Sequence, residues 1–391
     1  MSTDTTTSGT GTTATSADTA TTASRSGRVG VGVIGAGVIS DQYLSNLTVF
    51  PDVEVRFIAD IDLPRAASQA EKWGVPGSGT VDELLAIDEI EIVVNLTIPA
   101  AHVEVALQAL AAGKHVWGEK PYALDRQSAA QLRDAAVAAG KTVSVAPDTF
   151  LGAGLQTALR TIRDGRIGTP LNGLTLFQSP GPESWHPSPE FLFAYGAGPL
   201  FDIGPYYITT LVQAFGPVAK VTATASRSRA TRTIGSGPKA GTEFPVDVPT
   251  NHSALIQFEN GGSAQSVFSF ESDRGRTGFV EIAGETGTVV FPDPNDFDGD
   301  TELYALGADE PETIPAVGST YSRGTGVVDL ARSLRAGEEN RVPGALAFHV
   351  LDVMVSIAEA AERGETVLVE STVAPSPTLP EGWDPAEQTL A

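Results

Sequence analysis

The residues best equipped for chemistry stand where apolar runs end. VGVGVIG leads into Gly35-Ala36-Gly37-Val38-Ile39-Ser40. In this spacing Gly35 permits a tight turn, and Gly37 lets backbone amides approach a pyrophosphate at a helix N-terminus. Ser40, in the third glycine position, is small enough for close helix–strand packing. Asp60 ends the run VEVRFIAD, 25 residues after Gly35, where a carboxylate holds ribose hydroxyls. A carboxylate there repels a 2′-phosphate and favours NAD over NADP, while Arg65 nearby works against that preference. The competing reading is a glycine turn in some other βα unit. A further run ends in Asn95-Leu96-Thr97-Ile98-Pro99, with His102 at the next helix start. Leu96, Thr97, Pro99 and His102 are candidate cofactor contacts, with Gly35, Gly37, Val38, Ile39 and Asp60. For His102, a packing role at the helix start competes.

The run KHVWGE ends in Glu119-Lys120-Pro121. Pro121 disfavours helix at Lys120, which fits a fixed pair at the nicotinamide edge better than a solvated charge run. Glu119 and Lys120 are therefore cofactor-edge candidates. Asp148 ends KTVSVAP and is expected to face the cleft; capping the following helix is its alternative. Trp185-His186-Pro187 offers an indole for the apolar face of a sugar and a histidine able to act as base. A packed loop is the competing reading. Lys220, Arg227, Arg229, Arg232 and Lys239 lie in a stretch without acidic residues between Asp202 and Glu243. It reads as an exposed strand and loop or a subunit contact, or alternatively as a receiver for an anionic substrate group.

These residues need elements to hold them. From Arg28 to about residue 148, short apolar runs alternate with helical segments, which means βαβ units and a doubly wound parallel sheet. Such a sheet brings its C-terminal strand ends to one ligand-binding edge. After that the chain becomes strand-rich with Asn-Gly and Gly-Gly turns, which suits an α+β domain with a largely antiparallel sheet. The expected division is a Thr/Ser/Ala/Gly-rich disordered tail over 1–28, a Rossmann domain over 29–148, a substrate and oligomerisation domain over 149–371, and a loose Pro-rich tail over 372–391.

AGKHVWGEKP after a GAGxIS fingerprint resembles the Gfo/Idh/MocA family, whose members include glucose–fructose oxidoreductase and inositol dehydrogenases. The resemblance covers about residues 29–370. GAGPLFDIGPYY, over 196–207, is similar to the family's second motif, a glycine run followed by D-x-G-x-H. The resemblance implies a nicotinamide cofactor and assembly through the C-terminal sheet. It also implies an active site of Lys120 and Asp202 with a third group from the second motif. That third group is histidine in the family pattern and Tyr206 here, as in a D-x-G-P-Y-Y branch; the family's common aspartate three residues later is Thr209. Lys120, Asp202 and Tyr206 are thus the catalytic candidates, and with Asp148, Trp185 and His186 they form the candidate substrate site. Tyr206 or His186 is the base.

Composition narrows the function classes. Lys plus Arg number 25 against 48 Asp plus Glu, a net charge of −23 that repels nucleic acid and anionic membranes. With no cysteine, thiolate nucleophiles and disulfides are excluded, and no metal site is expected. The N-terminal residues contain no apolar h-region, and no apolar run is expected to approach the ~20 residues that span a bilayer. A cytoplasmic homodimer or homotetramer is expected. The activity that fits best is NAD(P)-dependent hydride transfer to or from a secondary hydroxyl of a sugar, inositol or related polyol. An NAD-dependent glycosidase acting by transient oxidation and elimination is the alternative, and a non-catalytic NAD-binding sensor is a third class.

Overall fold

The computed structural model describes residues 1–2 and 26–390. The expected disorder over 1–28 falls almost wholly outside them. Continuous apolar runs build a parallel sheet buried on both faces. In chain order its elements are β1 (Val29–Ile34), α1 (Val38–Leu47), β2 (Val53–Ala59), α2 (Leu63–Trp73), β3 (Gly77–Gly79), α3 (Val81–Leu85), β4 (Ile92–Asn95), α4 (His102–Ala111), β5 (His115–Gly118), α5 (Arg126–Ala139) and β6 (Val143–Val145). The strand order is β3-β2-β1-β4-β5-β6. The order reverses between β1 and β4, and a ligand crevice opens at such a switch point. Local chemistry sets the helix ends: Asp62 and Asp125 cap α2 and α5 through the N–H groups of Arg65 and Ser128, and Gly74 and Gly140 stop them in left-handed conformation.

The second half comprises α6 (Ala153–Arg163), β7 (Pro170–Gln178), α7 (Gly198–Phe215), β8 (Val218–Ser226), β9 (Thr231–Thr233), β10 (Glu243–Pro245), β11 (Asn251–Phe258), β12 (Ser263–Ser269), β13 (Arg276–Gly284), β14 (Gly287–Phe291), β15 (Thr301–Ala305), β16 (Glu312–Ile314), α8 (Thr325–Ala336), α9 (Gly344–Arg363) and β17 (Val367–Leu368). Nine strands form a sheet in the order β16-β15-β14-β13-β7-β12-β11-β8-β17. It is antiparallel except where β7 runs parallel to β12. Period-two patterning turns one face toward the helices: along β11, His252, Ala254, Ile256 and Phe258 are buried while Ser253 and Leu255 are exposed. Helices α6, α7 and α9 cover that face. The hairpin of β9 and β10 forms a satellite core, in which Ile234 and Phe244 meet Leu192, Phe193 and Phe270.

Three features depart from the expected division. First, α8, a helix that the strand-rich reading of this region does not anticipate, is bonded to the N-terminal sheet domain. Arg332 pairs with Asp52 at 2.7 Å and Arg335 with Glu91 at 2.6 Å. Second, residues 372–390 are tied down rather than loose. Leu379 N–H donates to Gln156, Ser376 N–H to Gln213, and the Thr389 and Leu390 N–H groups to Asp52. Buried carboxylate and amide groups hold this Pro-rich strap, which composition alone cannot reveal. Third, α9, with 20 residues, is long and apolar enough to cross a membrane. Here it packs on β8, α7, α5 and β6, so it is a core helix joining both halves.

Candidate active site

The crevice is shaped first by glycine. Gly35 has φ +104°, and a Cβ there would lie 2.7 Å from Leu96 backbone atoms, so only hydrogen fits. A Cβ on Gly37 would meet nothing within 4 Å. Open space therefore fronts the N-terminus of α1, whose N–H groups have no side-chain cap. Ser40 is fully buried, and its hydroxyl bonds Gly37 O and Gln69. Large apolar side chains stand exposed near the same strand ends, one opening α1 and two on loops: Val38 (86% exposed), Ile61 (96%) and Ile98 (63%). Ile39 and Pro99 are half-buried beside them. An amide-lined cradle with apolar walls fits the pyrophosphate and rings of a dinucleotide.

Asp60 is nearly buried, with Oδ2 accepting Ala36 N–H at 2.7 Å and Oδ1 accepting Asp62 N–H at 2.9 Å. Arg65 also grips it, through Nε at 3.2 Å and Nη2 at 2.6 Å. Burial pulls this carboxyl up, but the Arg65 and backbone hydrogen bonds outweigh burial and hold it below its ordinary value. Arg65, itself half exposed, thus sits on the carboxylate that the sequence assigns to ribose.

The loop after β4 holds Leu96 buried and Thr97 half-buried, with the Thr97 N–H and hydroxyl both bonded to Asn95 Oδ1. His102 is buried at the start of α4. Its Nε2 lies 2.9 Å from Thr97 O and its Nδ1 3.0 Å from Pro121 O; burial lowers its pKa, so the neutral ring donates to one of these two carbonyls and braces the backbone. Glu119 is likewise engaged inward. Tyr43 donates to Oε1 at 2.7 Å and Lys120 N–H to Oε2 at 3.1 Å, so this carboxylate sets the loop.

Beyond it, Lys120 Nζ donates to Asp202 Oδ1 and Asp202 O, both at 2.7 Å. Burial disfavours the ammonium, yet Asp202, Tyr206 and Glu119 hold its pKa above the ordinary lysine value. Asp202 and Tyr206 are four residues apart on α7, hence on one helix face. Lys120 Nζ lies 5.5 Å from the Tyr206 ring centroid. The Tyr206 hydroxyl accepts from Arg323 Nη2 at 3.1 Å, and Arg323 also donates to Asn295 at 2.8 Å. Burial raises the Tyr206 pKa, with Lys120 and Arg323 pulling it down by less. Lys120 is therefore beside the phenol, but burial outweighs the lowering that adjacency to a lysine suggests. Tyr207 faces away, bonded to Gly278 N–H at 2.8 Å. Thr209 is buried in the helix interface.

The other candidates sit elsewhere. Asp148 is 1% exposed, and its Oδ2 accepts the N–H groups of Gly324 and Gly326 at 3.1 and 3.0 Å. It ties β6 to the start of α8 instead of facing the cleft. Trp185 is exposed and meets His186 edge-on at 5.5 Å; His186 is half-buried against Phe191. Among the described residues no hydrogen bond joins His186 to Lys120, Asp202 or Tyr206; its Nδ1 accepts Ser188 N–H at 3.1 Å. The basic stretch is largely engaged internally. Arg232 is buried between Glu183 and Glu271, Lys239 pairs with Glu190, and Arg227 bonds Val246 O. These pairs pin the Trp185 loop to the β9–β10 hairpin. Arg323, Asn295 and Tyr43 escape sequence reasoning. The one available cue is that Arg323 is the lone charge in residues 313–328.

Comparison with known proteins identifies the family and the fold. Residues 29–147 match the oxidoreductase family with NAD-binding Rossmann fold, and residues 155–290 match the GFO/IDH/MocA C-terminal domain. The chain is 32% identical over 161 residues to inositol 2-dehydrogenase 3 of Saccharopolyspora erythraea, covering 40% of this chain and about half (48%) of that relative. It is 28% identical to levoglucosan dehydrogenase of Pseudarthrobacter phenanthrenivorans, over 67% of this chain and 73% of the relative. A solved levoglucosan dehydrogenase in complex with NADH and levoglucosan superposes with TM-score 0.76 at 23% identity, covering 88% of this chain and 99% of that one.

Proposed function

The chain belongs to the Gfo/Idh/MocA oxidoreductase family, and from that premise we propose that it transfers a hydride between NAD and a secondary alcohol of a sugar, inositol or related polyol. The observation that carries this reading is the half-buried Lys120–Asp202 pair beside Tyr206, at the edge of the dinucleotide crevice. Relatives named for inositol and levoglucosan support the substrate class.

Bound NAD supplies the ring that accepts or gives the hydride. In this reading Gly35, Gly37, Val38, Ile39, Leu96, Thr97 and Pro99 hold the cofactor, and Asp60 meets its ribose. Lys120, kept charged by Asp202, stabilises the negative charge that grows on the substrate oxygen. Tyr206 exchanges the hydroxyl proton at its Oη. Trp185 offers its face to the apolar side of the ring, and His186 accompanies it as a binding residue. The sheet face that exposes Leu255 is the assembly face of a homodimer or homotetramer, and the enzyme works in the cytoplasm.

A panel of inositols, aldoses and glycosides with NAD and NADP tests the reading. At least one free polyol yields net NADH, and Tyr206→Phe lowers kcat by ~10²-fold or more while NADH still binds. Glycoside cleavage without NADH accumulation identifies the elimination chemistry instead. Unchanged kcat in Tyr206→Phe, together with loss of kcat in His186→Ala, moves the acid–base role to His186.

A further inference from the structure

An arginine has five N–H donors and no acceptor. Facing a phenol, it can only donate, so the phenol's own proton must point elsewhere. Arg323 Nη2 donates to Tyr206 Oη. The neighbouring Lys120 is also a pure donor and is engaged with Asp202. Among the described residues, no carbonyl, carboxylate or hydroxyl accepts a hydrogen bond from Tyr206 Oη. The phenolic proton has no acceptor on the protein, on a helix face that also presents Asp202 to Lys120. A ligand oxygen is the partner it lacks.

Arg323 is held by both halves of the fold. Its carbonyl accepts from Asn46 on α1 at 2.9 Å, and the next residue's N–H is held by Asp148. Its side chain reaches across to Tyr206 on α7 and to Asn295 after β14. An anchored guanidinium needs no reorganisation when charge appears in front of it, which is the condition for strong transition-state stabilisation.

We propose that Arg323 is a catalytic residue that aims the Tyr206 hydroxyl at the substrate oxygen and stabilises the phenolate left when its proton moves. This rests on the acid–base role given to Tyr206 above. In the reducing direction, the carbonyl carbon takes a hydride from the reduced nicotinamide and the carbonyl oxygen takes the proton from Tyr206 Oη. The C=O group becomes CH–OH, the tyrosine O–H bond breaks, and its electron pair stays on Oη against Arg323. Oxidation reverses each transfer. Because burial keeps the resting phenol protonated, carbonyl reduction is the direction ready at neutral pH, and oxidation strengthens as pH rises.

The test uses the full chain with Cζ-labelled tyrosine, whose seven signals include Tyr206, assigned by Tyr206→Phe. In Arg323→Met the Tyr206 signal shifts at neutral pH and titrates at higher pH than in the unaltered protein; Arg323→Lys falls between. Turnover in Arg323→Met falls by ~10²-fold, the scale of a lost oxyanion donor, with KM for NADH unchanged. The pH at which carbonyl reduction declines moves upward. An unshifted Tyr206 signal with coincident titrations overturns the proposal even if the enzyme proves to be a polyol dehydrogenase. A shifted signal in a protein inactive on every polyol supports the Arg323–Tyr206 unit and refutes the substrate reading instead. Should Arg323→Met fail to fold, Arg323→Lys carries the same test: an unchanged signal and profile there overturn the proposal.

Discussion

Replacing Asp148 by asparagine tests the seam between the two halves. The carboxyl is buried, Oδ2 receives two backbone N–H groups, and Oδ1 has no partner. Burial raises its pKa from the ordinary 3.8 to about 6, against the pull of those N–H bonds and Arg323. Between those values the folded protein holds a proton that the unfolded chain has released. Stability from this group is therefore full below about pH 4 and declines as pH rises to about 6, by ~3 kcal/mol at ~1.36 kcal/mol per tenfold change in proton affinity. Asparagine cannot ionise, and its carbonyl can still accept both N–H groups. Its amide nitrogen takes the place of the unpartnered Oδ1, at a pH-independent cost of ~1–3 kcal/mol. The quantity to follow is thus the slope of the difference. Urea unfolding of both proteins from about pH 4 to about pH 7 should show Asp148→Asn gaining ~3 kcal/mol on the unaltered protein. A difference that stays flat, or runs the other way, refutes the assignment of a buried, proton-holding carboxyl.

Two further outcomes follow from other ion pairs. Arg65→Ala should raise the ratio of NAD to NADP affinity by ~10-fold, about 1.4 kcal/mol, because the guanidinium that occupies Asp60 also offers a positive charge to a 2′-phosphate; calorimetry showing equal changes for both cofactors counts against this. Asp52→Ala removes the acceptor of Arg332, Thr389 and Leu390 and should cost ~3–5 kcal/mol near neutral pH. Burial opposes the Asp52 carboxylate, but the Leu390, Thr389 and Arg332 bonds hold its pKa below the ordinary value. The loss should therefore shrink as pH falls below the ordinary carboxylate range, and urea unfolding showing the same loss at acid pH argues against it.

What could be read in advance follows from how far each signal reaches along the chain. The crevice was legible because Gly35 and Gly37 act on their own backbone, where spacing is the whole message. Lys120 and Asp202 were legible because two motifs, each local, resemble one family. Glu119 and Asp148 also stand after strand ends and His102 at a helix start, but spacing does not say which way a side chain turns there. Each turned inward because a partner awaited it: the Tyr43 phenol for Glu119, the Gly324 and Gly326 N–H groups for Asp148, and the Thr97 and Pro121 carbonyls for His102. The Tyr206 environment was half legible: the lysine neighbour followed from the motif, while burial and Arg323 are contributed by segments more than 100 residues away. The basic stretch misled in the same way. Arg232 looked available because its partners Glu183 and Glu271 are remote in sequence and adjacent only in the fold.

The lodging of α8 against the N-terminal sheet has a consequence for synthesis. Its residues Val327, Val328, Leu330 and Ala331 are wholly buried, and a Cβ on Gly326 would lie 2.1 Å from the Trp117 ring. The first sheet is complete at β6, yet the helix that seals Trp117 and Leu47 is encoded nearly two hundred residues later. At ~5–20 residues per second, a ribosome leaves that apolar face bare for roughly 10–40 seconds. The nascent chain must spend that interval shielded by a chaperone or by provisional contacts. Pulse-labelled chains stalled before and after residue 336 should differ sharply in protease resistance of the first sheet.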